Sequence, residues 1–269
     1  MPFSVLMSVY YKENPDYLHS SLRSVWDDQE LKPDQIVIVK DGPLTSPLND
    51  VLGEWEERLG ESLFTVLAIE RNVGLAEALN KGIEVCRYDL IARMDTDDIS
   101  LPTRFLKQIN FMEKAQNVDV SSCFIEERGE DLKDVYGIRE IPVGHEEILN
   151  FSRKRSPINH PASVFRKSSV VESGGYPDKY PEDYALWVRM LFLGYRFANF
   201  PEVLLMMRTG DGFYERRGKK FLKGELSIIL MQKKYNMISW FGFFRNVMIR
   251  CVLRLSPAWV KKIAYKLAR

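Results

Sequence analysis

In the first 94 residues, four short apolar runs alternate with three segments of helical spacing. That alternation restricts the chain to an α/β architecture with a mostly parallel central sheet flanked by helices. Residues 3–10 (FSVLMSVY) read as a buried strand, and Leu18, Leu22, Val25 and Trp26 fall on one face of a helix over 16–28. The branched run in IVIVKDG (36–42) ends in a charged turn, as in a parallel strand covered on both faces. Helix 48–59, strand 63–69, helix 74–86 and strand 89–94 complete the pattern. Ligands in such sheets sit beyond the carboxyl ends of the strands, which singles out Tyr10, Asp41 and the cluster Asp95-Thr96-Asp97-Asp98. A second segment, roughly 135–205, alternates less regularly, and the last fifty or so residues look helical.

A chain of 269 residues can bury one large core, with or without an appendage, and 45% hydrophobic with 28% charged residues excludes wholesale disorder. Cys86, Cys123 and Cys251 are odd in number and form no CxxC pair. They argue against a disulfide framework or a zinc site and fit a reducing compartment. MPFSVLMSVYY has no basic leader and is expected to be a first strand, not a signal peptide.

Three carboxylates within four residues follow the fourth strand. In extended geometry residues i and i+2 project to one side, so Asp95 and Asp97 can meet at one point. Carboxylates so close repel unless a cation neutralises them, and hard oxygen ligands suit Mg²⁺ or Mn²⁺, which shares its shell with substrate phosphates. Asp98 before ISLPTRF is alternatively a cap of the following helix.

The stretch ARMDTDDISLPTRFLKQ resembles the DxD region of family 2 glycosyltransferases, inverting enzymes of the GT-A fold. The order of SVLMSVYYKE, VIVKDGP, RNVGLAEALNKG, NHPASVFRK and EDYALWVRM strengthens the resemblance, which covers roughly residues 3–208. It implies that Asp95 and Asp97 hold the metal, with Asp95 also on the substrate, and that Ser8, Tyr10 and Asp41 line the base pocket of a UDP-sugar. A ring can stack on uracil and a carboxylate can accept its imide N–H. Arg71 and Asn72 are expected near the nucleotide, and Asn80 on a helix surface. Neither GxGxxG nor Walker A is present. Glu182-Asp183 would suit a helix N-terminus with no chemistry; the resemblance makes Asp183 the base that takes the acceptor hydroxyl proton, with Glu182 orienting the acceptor. His160 would shape the acceptor side unless it is structural, Trp187 would form a sugar platform unless it is core, and Arg208 would reach the diphosphate. The glycine-rich, charged stretch 209–220 is expected to be a lid, and no histidine there offers a third metal ligand.

Net charge is distributed unevenly. Residues 1–214 hold 24 Lys and Arg against 35 Asp and Glu, whereas residues 215–269 hold 14 against 2. The tail carries Trp240, Phe241, Phe243, Phe244, Trp259 and Tyr265, and its apolar window 237–253 is broken by Arg245 and Arg250, too short and charged to span a bilayer. Two arrangements remain open: helices packed on the body, or a basic amphipathic tail on an anionic membrane surface. The expected division is a catalytic domain over 1–214, with a nucleotide-sugar half (1–100) and an acceptor half (101–214), followed by the tail (215–269). The expected activity moves a hexose or N-acetylhexosamine from a UDP-sugar to a saccharide acceptor linked to undecaprenyl diphosphate, for surface polysaccharide assembly. The enzyme would work in the cytoplasm, peripherally on the inner face of the cell membrane, with no nucleic acid and no obligate protein partner. A sugar-nucleotide-forming nucleotidyltransferase and a non-catalytic membrane-surface module are the alternatives; the first would carry a glycine-rich basic loop where this chain reads SVYYKENPD.

Overall fold

The computed structural model describes residues 1–209 and 219–256, the side chains of Lys219 and Lys220 excepted. Its first half follows the expected alternation within two residues at each boundary: β1 (Phe3–Val9), α1 (Pro15–Trp26), β2 (Gln35–Asp41), α2 (Ser46–Leu59), β3 (Phe64–Ile69), α3 (Leu75–Val85) and β4 (Leu90–Arg93). Local chemistry sets the boundaries. Asn14 caps α1 by accepting from the Asp16 N–H at 2.8 Å, and Pro15 occupies the first turn, where its missing N–H costs nothing.

Then come β5 (Ile99–Ser100), α4 (Arg104–Lys114), β6 (Val120–Ser121), β7 (Cys123–Arg128), β8 (Val135–Arg139) and α5 (His145–Ser152). A 3₁₀ turn at His160–Ala162 leads into β9 (Val164–Arg166), α6 (Lys167–Glu172), α7 (Glu182–Phe192) and β10 (Phe200–Arg208), and the tail forms α8 (Lys219–Lys234) and α9 (Trp240–Leu255). The main sheet has the order β3-β2-β1-β4-β9-β6, parallel through β4 and antiparallel beyond it. A second sheet, β5-β10-β7-β8, flanks it.

Alternate residues of the central strands point to opposite faces, and both faces are covered. Val5, Met7, Ile36 and Ile38 pack with Leu22, Trp55 and Phe105 of α1, α2 and α4. Leu6, Val37, Val39 and Ile91 pack with Leu79 of α3 and Leu186 and Trp187 of α7. Gly82 lets α3 lie close to the sheet: a Cβ there would stand 2.4 Å from Leu6 Cδ1 and 2.7 Å from Val39 Cγ2.

The tail helices dock on the body. Ile228 of α8 packs with Tyr184, Ala185 and Val188 of α7. Gln232 Nε2 donates to the Ser152 carbonyl at 2.7 Å, and Asn246 Nδ2 donates to the Arg153 carbonyl at 2.8 Å. The outer side of α9 stays apolar and exposed along Phe241, Phe244, Met248, Val252 and Leu255. Among the described residues no helix is long and apolar enough to cross a membrane.

Candidate active site

β4 delivers the acidic cluster to the carboxyl edge of the sheet. Asp95, Asp97 and Asp98 each bring a carboxylate oxygen within 4.8 Å of the others. Asp95 pairs with the buried guanidinium of Arg93, and Ser21 Oγ donates to the Asp95 carbonyl at 2.9 Å. Burial, then the Asp95 charge, pushes the Asp97 carboxyl up to about 6, and burial lifts Asp98 as well. Asp98 does not cap a helix. β5 intervenes before α4, whose N-cap is Thr103, and Asp98 Oδ1 accepts the Arg208 N–H of β10 at 2.9 Å. Its Oδ2 is buried with no hydrogen-bond partner among the described residues. An orphaned buried carboxylate oxygen beside two more carboxylates fits a hard divalent cation such as Mn²⁺ or Mg²⁺, and makes Asp98 a third candidate ligand. Glu13, in the loop after β1, also faces the cluster; burial, then Asp97 and Asp95, raises it to about 7.

The ends of β1, β2 and β3 form the neighbouring part of the edge. Ser8 is half-buried and Tyr10 is exposed with its ring edge-on to Tyr11. Asp41 is buried, and most of its carboxylate is occupied: Oδ1 accepts the Val73 N–H at 2.7 Å, and Oδ2 accepts Gly74 N–H at 3.0 Å and Asn72 Nδ2 at 2.9 Å. The expected bond to a base imide therefore has little capacity left, and Asp41 acts first as the anchor of the 72–74 loop. Asn72 is used in that anchor, while Arg71 beside it is exposed. Gly42 allows the close approach, with φ +86° and a would-be Cβ only 2.6 Å from the Asn72 nitrogen.

An open cleft of about 510 Å³ runs from Asp95 and Arg93 past His160 to Glu182 and Asp183, then to Arg139, Arg155 and the tail helices. Glu182 and Asp183 form the first turn of α7. Burial, then Asp183, pushes Glu182 up to about 7; burial also raises Asp183, against the pull of Arg139 and Arg93. His160 Nε2 lies 2.9 Å from Tyr176 Oη, and burial, then Arg93, holds the imidazole far below its ordinary value, so it stays neutral.

Two expectations change in this half, those for Trp187 and Asn80. Trp187 is 0% exposed and packs edge-on against His160, Tyr176 and Phe197, so it backs the cleft and offers no sugar platform. The Arg208 guanidinium lies 4.2 Å from the Tyr17 ring centre, donates to the Glu130 carbonyl and acts by its charge on Asp97 of the acidic cluster. Asn80 is no plain surface residue: it clamps the Tyr176 backbone by donating 2.8 Å to its carbonyl and accepting its N–H at 2.7 Å. The lid expected at 209–220 lies, but for its ends, outside the described residues. The sequence assigns no role to Arg93, Glu13, Arg139 or Tyr176, and to Asp98 only that of a helix cap beside the metal pair. Only Asp98 and Arg93 had a visible signal, their place in the strand-end motif.

A doubly covered parallel sheet with a carboxylate cluster at its carboxyl edge, opposite a second acidic pair across one cleft, defines a GT-A type sugar transferase. The chain belongs to glycosyl transferase family 2, whose model matches residues 4–175. This membership sets aside the nucleotidyltransferase alternative. The chain is 38% identical to the amylovoran biosynthesis glycosyltransferase AmsE of Erwinia amylovora, over 98% of each chain. It is 37% identical to the UDP-Gal:alpha-D-GlcNAc-diphosphoundecaprenol beta-1,3-galactosyltransferase of Escherichia coli, over 98% of this chain and 95% of the relative. Among solved structures, the mannosyltransferase PcManGT of Pyrobaculum calidifontis, in complex with GDP-Man and Mn²⁺, superposes with a TM-score of 0.66 at 14% identity, covering 99% of this chain and 79% of that one. S. aureus TarS 1–349 gives 0.66 at 16% identity, covering 93% and 71%. At these identities the two structures establish the shared fold.

Proposed function

We propose that the protein transfers a hexose or N-acetylhexosamine, with inversion, from a UDP-sugar to a saccharide carried on undecaprenyl diphosphate, in surface polysaccharide synthesis. The observation that carries this reading is the cleft itself, in which Asp95 and Asp183 line one continuous space. The names of the Erwinia and Escherichia relatives support the substrate class.

Asp95, Asp97 and Asp98 would hold Mn²⁺ or Mg²⁺, which when bound supplies positive charge to the departing diphosphate. Arg93 steadies Asp95 by an ion pair from beneath. The Asp41-anchored loop, with Ser8, Tyr10 and Arg71, forms the nucleotide side. Across the cleft, Asp183 accepts the proton of the acceptor hydroxyl as it attacks the anomeric carbon from the face opposite the leaving group, which inverts the configuration. The Tyr184 N–H, Arg139 and Arg93 oppose the burial that raises Asp183 and so favour its carboxylate, the form a base needs. Glu182, which burial and then the Asp183 charge push up to about 7, orients the acceptor by donating or accepting a hydrogen bond. Residues 1–214 form the catalytic part and 215–269 the tail. Its α9 outer face lies at the inner surface of the cell membrane, which makes the enzyme peripheral.

Transfer from UDP-sugars to a short lipid diphosphate saccharide tests the reading. Asp183→Asn should lower kcat by about 10²-fold or more while UDP affinity holds. Undiminished transfer by this variant removes Asp183 as base; absence of transfer by the wild type, with UDP still bound, leaves a binding module.

A further inference from the structure

Beyond Asp183, the cleft is lined by guanidinium groups brought from separate elements. Arg139 ends β8, Arg155 follows α5, and Arg250 and Arg254 come from α9. Glu225 of α8 serves two of them: Arg254 Nε and Nη2 donate to its carboxylate at 2.7 and 2.9 Å, and Arg250 Nη1 lies 3.1 Å away. Arg139 makes no ion pair within 4 Å among the described residues; the counter-charge that acts on it is Asp183. Burial, then the charges of Arg139 and Arg250, holds the Arg155 proton less tightly than usual, so these three cations repel one another in a partly dry space. Among the described residues, these four guanidiniums share the wall with three carboxylates, Glu182, Asp183 and Glu225, and burial and the Asp183 charge push Glu182 up to about 7.

The wall is also fixed in place. Asn159 Nδ2 donates to the Cys123 carbonyl at 2.8 Å and to the Arg139 carbonyl at 3.3 Å, tying the end of β8 to β7. Arg250 donates to the Lys154 carbonyl, which joins α9 to the segment bearing Arg155. Repelling cations held by such tethers call for an anion, and the planar fork of arginine suits phosphate oxygens. The outer face of the helix that brings Arg250 is the exposed apolar strip from Phe241 to Leu255. One helix thus borders a cationic cleft with one side and offers a lipid-compatible surface with the other.

We propose that Arg155 and Arg250, with Arg139 beside them, seat the diphosphate of the lipid-linked acceptor, so that its sugar reaches Asp183 and its hydrocarbon leaves along α9. This rests on the acceptor class proposed above. It makes α8 and α9 part of the acceptor site, and it assigns the acceptor a diphosphate seat separate from the metal-dependent one for the donor.

Two measurements decide it. In calorimetry with inorganic pyrophosphate in EDTA, the wild type and Asp97→Ala should bind alike. An Arg155→Gln/Arg250→Gln double variant should bind about 10- to 100-fold more weakly, while still binding UDP with Mn²⁺ as evidence of an intact fold. Equal binding by the double variant, or loss of binding in Asp97→Ala, overturns the proposal. In kinetics, the double variant should raise KM at least about tenfold for an alkyl diphosphate-linked N-acetylglucosamine and leave the phosphate-free alkyl glycoside unaffected; Arg155→Lys/Arg250→Lys should restore part of the difference. An equal loss with both acceptors overturns the seat and leaves a structural role. If the wild type uses neither acceptor, the proposed function fails, and the pyrophosphate arm still reads the seat by itself.

Discussion

Arg93 links the two acidic halves of the cleft. It is 2% exposed, it pairs with Asp95, and its charge opposes the burial that raises Asp97, Asp98, Glu182 and Asp183. A buried cation unmatched by carboxylates would be costly, and so would these carboxylates without it. Arg139 plays the same part for Asp183 from the acceptor side, which gives a directional prediction. A positive neighbour favours the carboxylate, so Arg139→Gln removes an influence that lowers the Asp183 pKa, and that pKa rises. A base with a higher pKa becomes protonated at a higher pH on the acid side. The acid limb of kcat/KM should therefore move toward alkaline pH in Arg139→Gln. An unmoved or acid-shifted limb would show that Asp183 does not set it.

At the level of elements, the loop after β3 is built around the β2 end, and one glycine controls the fit. A methyl group on Gly42 would stand 2.6 Å from the Asn72 nitrogen, at a φ that side chains rarely adopt. Gly42→Ala should push the 72–74 loop off Asp41 at a cost of about 1–3 kcal/mol and weaken UDP binding about tenfold, measured by calorimetry with Mn²⁺. Unchanged affinity would separate this loop from the nucleotide site. The Asp41–loop bonds show where sequence reading ends. β1 to β4 and α1 to α3 were legible because strands covered on both faces are continuous apolar runs and the helices repeat at 3.6 residues. The strand-end rule then exposed Asp95 and Asp97. Asp41 was found by the same rule, but its partners lie over 30 residues away and leave no local trace. β5 has two residues and pairs with β10 across Leu205↔Ser100, a register that no periodicity announces. Trp187 looked as suited to a sugar as to a core, because a side chain type does not reveal which helix face is covered; the packing of α7 on the sheet decided it.

For the molecule as a whole, the charge division between body and tail takes an unexpected form. A basic amphipathic tail would turn arginines outward. In α9, Arg250 and Arg254 instead turn inward to Glu225, and Arg250 also to the Lys154 carbonyl, whereas the outward face is Phe241, Phe244, Met248, Val252 and Leu255. Phe241, at 77%, is among the most exposed. A soluble surface seldom keeps such a strip uncovered, and the strip is too short to enter the bilayer as a span. Seating in the interface buries it, and burial of two phenylalanines contributes about 3 kcal/mol or more. Phe241→Ser/Phe244→Ser should therefore cut partition into phosphatidylglycerol-containing vesicles by about a hundredfold or more in flotation assays. Transfer to a water-soluble acceptor should persist, since neither residue lines the cleft. Because Arg250 and Arg254 of α9 turn toward Glu225, leaving Arg245 as the remaining arginine of the helix, its contribution to binding should largely survive high salt; a response governed by salt would place the membrane contact on Arg245 and other basic residues of the tail. Vesicle binding undiminished by the double substitution would detach α9 from the membrane and leave its apolar face to another partner.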